Sequence, residues 1–90
     1  SSSAFDAAVK LLGGRARSRA RLEQALLQRG HAEADVASAL ARVAELGYLD
    51  DRRYAEAKAR AGFTEGRSLA DVQRRLEADG FEPALAAVAA

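Results

Sequence analysis

Apolar side chains recur along the chain at helical spacing, in short runs that each stop near a glycine. Leu22, Ala25 and Leu26 show the i, i+3, i+4 spacing of a helix with one buried face. Val36, Leu40, Val43 and Leu46 form a second inward stripe, and Tyr54, Ala57 and Ala61 a third. Val72 and Leu76 mark a fourth. Alternation of apolar and polar residues is too rare for a sheet, and Ala, Leu, Arg and Glu dominate a mix that favours helix. The start signals agree with the stripes. Ser3-Ala4-Phe5-Asp6 and Ser68-Leu69-Ala70-Asp71 read as capping boxes, while Ser18 and Asp50 or Asp51 read as simple caps. The single proline, Pro83, suits a first helical turn. The pattern therefore predicts six short helices: from Ser3 to about Leu12, from Ser18 to about Arg29, from about Glu33 to Leu46, after Asp50 or Asp51, after Ser68, and from Pro83 onward. Gly13-Gly14, Gly30, Gly47, Gly62, Gly66 and Gly80 are the expected stops.

These helices repeat. Ser18, Ala20, Leu26 and Gly30 return fifty positions later as Ser68, Ala70, Leu76 and Gly80, with Leu22 answered by Val72. The first helix aligns with the fourth at an offset of forty-nine, pairing Phe5 with Tyr54, Ala8 with Ala57 and Gly13 with Gly62. The expected organisation is all-α: a first three-helix repeat over 1–50 and a second over 51–90. Neighbouring units of a helical array cover each other's apolar faces, which suits tandem repeats of this size.

Composition sets the scale of the core. Of the 44 apolar residues 23 are alanine, so the core must be thin and the helices must approach closely. Cysteine is absent, which excludes a disulfide framework and a thiolate metal site. No apolar run approaches the ~20 residues needed to span a bilayer, and no secretory leader is evident. The expectation is a soluble, cytoplasmic monomer with no membrane contact.

The charge is close to balanced overall, at +1, but unevenly placed. Residues 1–30 hold six basic and two acidic groups, residues 31–51 one basic and five acidic, and residues 52–90 seven basic and six acidic. The densest feature is Arg15, Arg17, Arg19 and Arg21, four arginines in seven residues with no acid between them. They fall across a loop and a helix start, where the macrodipole disfavours positive charge. Such a placement points to an anion-facing patch, for phosphate or an acidic protein surface. Arg52, Arg53, Lys58 and Arg60 form a second basic group on the fourth helix. Arg67, Arg74 and Arg75 echo the first patch in the second repeat, diluted by Asp71 and Glu77. If the repeats stack regularly, the three groups share one basic edge.

Catalysis finds little to work with. The chain has one histidine, His31, at the position where the second repeat has Phe81, which marks it as a packing or capping residue. Asp50-Asp51 is explained by helix capping, and no glycine-rich phosphate loop is present. A binding module without cofactor or metal, and not an enzyme, is expected.

One string is longer and more specific than helix chemistry requires. Ser18-Arg19-Ala20-Arg21-Leu22 opens a helix that stops at Arg29-Gly30, and the next helix closes with Leu46-Gly47-Tyr48-Leu49-Asp50-Asp51-Arg52-Arg53-Tyr54-Ala55. In this the chain resembles the RecX family over roughly residues 5–81. The resemblance implies tandem three-helix repeats in an elongated, curved array. It also implies binding to RecA filaments on single-stranded DNA, with restraint of recombinase, ATPase and co-protease activity. Members of the family typically carry three such repeats and this chain holds about two, so it reads as a fragment or a shortened homologue. His31 is a mild departure from the aromatic or aliphatic residue usual after that glycine. The alternative is a small helix-turn-helix-like domain contacting the DNA phosphate backbone, single- or double-stranded, for which the +1 net charge is low.

Overall fold

The computed structural model describes residues 3–82 and is all-helical over them. Its elements are α1 (Ala4–Gly14), α2 (Arg19–Gln28), α3 (Glu33–Glu45), α4 (Asp51–Thr64) and α5 (Leu69–Ala78). The helix expected from Pro83 lies outside the described residues. The chain divides into two compact units, Ser1–Asp50 and Asp51–Ala90.

In the first unit α1 packs mainly on α3, and α2 packs against both. Ala7, Ala8, Leu22, Leu26, Val36, Leu40, Val43 and Leu49 make the core, with Phe5, Leu11 and Leu12 packed on its edge. Two alanines on the inner face of α1 let the leucines and valines of the other helices reach its backbone. Arg42 covers the exposed side of Phe5, its guanidinium carbon 4.7 Å from the ring centroid, a cation–π contact.

In the second unit α4 and α5 pair around Ala55, Ala59, Val72, Leu76 and Phe81, with Tyr54 packed alongside. Gly62 is buried where the helices cross. The inward face of α4 is thus Ala55, Ala59 and Gly62, whereas Ala57 and Ala61, expected inward, are exposed. Alanines stand at 55, 57, 59 and 61, so the apolar pattern left the helical phase of α4 open. The pairing of Ala8 with Ala57 fails for the same reason, since it matches a buried residue with an exposed one. By burial, Ala55, Ala59 and Gly62 have instead the spacing of Ala4, Ala8 and the half-buried Leu11. Gly62 does not stop α4, which runs on to Thr64.

The remaining helix ends follow the sequence closely. Ser3, Ser18 and Ser68 each accept, through the side-chain oxygen, the N–H of the residue three positions on. Helices α2, α3, α4 and α5 end on Gly30, Gly47, Gly66 and Gly80, all with positive φ. Each is followed by a residue whose N–H turns back to the helix, as Tyr48 does to the Val43 carbonyl at 2.9 Å. That turn also corrects Leu46. It was expected inward, yet it is 51% exposed, because α3 has closed and the chain brings Leu49 into the core instead.

Candidate binding surface

The four arginines of the first unit occupy three structural settings. Arg15 follows the last residue of α1 in extended backbone and is exposed. Arg17 is half-buried, and its Nε donates at 3.4 Å to the Leu11 carbonyl, which also accepts the Arg15 backbone N–H at the end of α1. Ser18 is buried and caps α2. Arg19 and Arg21 are exposed in the first turn of α2, a turn without an acidic residue. Three of the four therefore present charge at the surface of this unit, and the fourth also holds the α1–α2 connection.

The second unit gathers three of its cations on one acid. Arg67 reaches Asp71 through Nη1 at 3.0 Å and Glu65 through Nε at 3.1 Å. Arg74 and Arg75 approach the same Asp71 carboxylate at 3.4 and 3.7 Å. The Arg67 hydrogen bond, opposed by some desolvation and helped by Arg74 and Arg75, holds the Asp71 carboxyl below the usual carboxylate range. The same bonds to Asp71 and Glu65 raise the Arg67 guanidinium. The structure thus brings Arg67, Arg74 and Arg75 together, but around an acid of their own.

On α4, Arg52 pairs with Glu56 at 3.2 Å on the exposed surface, and Arg53 and Arg60 are also exposed. Lys58 stands apart from them. Its ammonium contacts the buried carboxylate of Asp79 and donates to the Tyr54 hydroxyl at 3.3 Å, while that hydroxyl donates to Asp79 at 2.7 Å. The Tyr54 ring stacks on Phe81 with centroids 6.0 Å apart. Burial lifts the Tyr54 hydroxyl above its ordinary pKa, reinforced by its bond to Asp79. For Lys58, burial alone would lower the ammonium, but the bonds to Asp79 and Tyr54 outweigh it and hold the pKa above the ordinary value. This network ties the end of α5 to α4.

Sequence reasoning did not identify Asp79 or Tyr54 as partners of Lys58. Asp79 stands 25 and 21 residues from Tyr54 and Lys58, which leaves no periodic signal, whereas Tyr54 lies four residues from Lys58, a spacing at which helical side chains meet. Asp71 was noticed only as dilution, although its spacing of three and four residues from the arginines is the one at which helical side chains meet. His31 is half-buried, and its N–H donates to the Leu26 carbonyl at 3.4 Å, as Phe81 does to Leu76 at 3.2 Å. It lines an open groove of about 490 Å3 with Phe5, Asp35 and Arg42. Among the described residues no group of His, Asp or Glu is placed to hold a metal ion, and no helix is long and apolar enough to cross a membrane.

Short helices with matched serine caps and glycine stops, and an arginine-rich surface, define the class: an all-α helical-repeat protein. The model of "RecX, first three-helix domain" matches residues 4–42, which is the body of the first unit. The Regulatory protein RecX of Chlorobaculum tepidum is 49% identical over 55 residues, 61% of this chain and 34% of that protein. The Regulatory protein RecX of Chromohalobacter salexigens is 37% identical over 75 residues, 83% of this chain and 49% of that protein. A crystal structure of RecX from Lactobacillus salivarius matches with a TM-score of 0.90 at 21% identity, over 96% of this chain and 56% of that one. The chain belongs to the RecX family. It spans between a third and a half of the length of these two curated relatives.

Proposed function

We propose that this chain binds RecA filaments on single-stranded DNA and restrains their recombinase, ATPase and co-protease activities. The observation that carries this reading is the exposed arginine group Arg15, Arg19 and Arg21 on the unit that matches the first RecX domain. Exposed guanidinium groups are suited to a surface of carboxylates, where charge-assisted hydrogen bonds set the register of docking. The helices beneath are fixed by caps and by a continuous apolar core, so docking orders few side chains. Binding works by occupying filament surface needed for growth and strand exchange, as a monomer in the cytoplasm and without a cofactor.

The test is co-sedimentation of the chain with RecA assembled on single-stranded DNA, beside naked single-stranded and duplex DNA. Co-sedimentation that requires RecA supports this reading. Equal binding to naked duplex, with a steep dependence on salt, supports instead a domain that contacts the phosphate backbone.

A further inference from the structure

Arg42 lies over Phe5 although an acid stands within helical reach. Its guanidinium carbon is 4.7 Å from the ring centroid. Glu45, three residues on, has a spacing at which helical side chains meet, yet among the described residues no carboxylate pairs with Arg42. Stacking occupies one face of the planar guanidinium and leaves the N–H groups at its edges to other acceptors. The ring therefore fixes the plane in which Arg42 can hold a carboxylate by two bonds.

Arg42 lines an open groove of about 490 Å3 between the start of α1 and one face of α3. Its lining on α3 is Asp35, Ser38, Ala39 and Arg42, the i, i+3, i+4, i+7 spacing of a single helix face. All of the lining belongs to the first unit. A carboxylate thus stands at one end of that face and a guanidinium at the other, two turns or about 10 Å apart. Asp35, like Arg42, is exposed and in no ion pair among the described residues. Asp35 in the first turn of α3 and Arg42 in the last each suit the helix macrodipole. The macrodipole accounts for the two signs but not for their sharing one groove. Ser38 and Ala39 between them are small, so a partner's backbone can come close.

We infer that this groove is a docking surface for a segment of a protein partner that presents a carboxylate to Arg42 and a cation to Asp35. This inference rests on the partner binding proposed above and adds a surface to it. The groove lies at the start of α1 and beside His31, just past α2, at the ends opposite to those that carry Arg15, Arg19 and Arg21. A protein segment carries both signs at a fixed spacing and so matches the two ends of the groove. A phosphate chain is negative throughout and would meet Asp35 as well as Arg42.

The experiment uses the full chain, fluorescently labelled, with RecA filaments on oligothymidylate and with oligothymidylate alone. The variants are Arg42→Gln, Asp35→Asn and the double variant, which leaves the net charge unchanged; thermal melts confirm that each is folded. Arg42→Gln is expected to weaken filament binding by about tenfold and Asp35→Asn by about threefold. The double variant should bind most weakly of the three, with the naked oligonucleotide unaffected. Filament binding that is unchanged in all three overturns the groove as a docking surface. An Asp35→Asn chain that binds as well as the native one or better, with the double variant back near native, overturns the paired-charge segment in favour of net charge alone. A loss of equal size on naked oligothymidylate overturns the protein segment in favour of phosphate. Failure of the native chain to bind filaments overturns the underlying proposal, an outcome distinct from native binding that ignores these variants.

Discussion

Gly62 and Val72 meet at the crossing of α4 and α5 so closely that a Cβ on residue 62 would stand 2.9 Å from Val72 Cγ2. Val72 is buried and β-branched, which restricts its χ1. The glycine sits inside a helix with no positive φ to justify it, and close approach of the two helices is its reason. Gly62→Ala would gain about 1 kcal/mol of helix propensity. It would lose about 1–3 kcal/mol to overpacking.

The expected outcome is a net loss on the order of 1 kcal/mol, read as a lower midpoint in thermal melting monitored by circular dichroism. The same substitution in a Val72→Ala background should lose nothing and show the propensity gain. An unchanged or higher midpoint in the native background would contradict the close approach.

The serine caps give a second prediction. Ser18→Ala and Ser68→Ala each leave an N–H at a helix start without its side-chain acceptor, at a cost of about 1 kcal/mol. Ser18 is the more deeply buried of the two, so Ser18→Ala should cost at least as much as Ser68→Ala in a chemical-denaturation series.

The network at Asp79 predicts a specific alkaline weakness. Tyr54 and Lys58 both have pKa values raised by folding, so the folded chain holds their protons more tightly than the unfolded one. Their contribution is complete below the unfolded values, near pH 10, and is lost as pH rises through the folded ones. Thermal stability should therefore fall between about pH 10 and higher pH. In the double variant Tyr54→Phe, Lys58→Met that fall should be smaller, although the variant takes two hydrogen-bond donors from Asp79 and is less stable at pH 7. Asp79→Ala strips Lys58 and Tyr54 of their shared acceptor and should cost about 1–3 kcal/mol at pH 7.

Asp71 predicts the opposite slope. Its carboxyl is lowered by Arg67 first, so its contribution is present above the ordinary carboxylate pKa and lost as pH falls through the lower folded value. Between about pH 4 and more acid conditions, Asp71→Asn should lose less stability than the native chain.

The fold was legible where local chemistry decides it. Ser18, Ser68, Gly30 and Gly80 mark helix ends by interactions that reach no more than a few residues, and the ends of α2, α3 and α5 stand within a residue or so of their expected places. The phase of α4 was not legible, because alanine at 55, 57, 59 and 61 fits either face and only contact with Val72 and Leu76 selects one. Gly62 resembled a stop because glycine in a sequence does not distinguish a turn from a close approach. The surface was legible as a list of cations, and Arg15, Arg19 and Arg21 are indeed exposed. That Lys58 serves Asp79 depends on a partner 21 residues away, which tertiary packing alone supplies. The neutralisation around Asp71 was open to a helical-spacing argument.

The most direct test of the account is single-strand-dependent ATP hydrolysis by RecA, measured while this chain is titrated in, beside a variant with Arg15, Arg17, Arg19 and Arg21 all changed to alanine. The account predicts suppression by the native chain and clearly weaker suppression by the variant, with the loss of the Arg17 bond to Leu11 checked by a thermal melt. Equal suppression by both folded chains would contradict the arginine surface as the docking site, and no suppression by the native chain at concentrations well above those of RecA would contradict the proposed function itself.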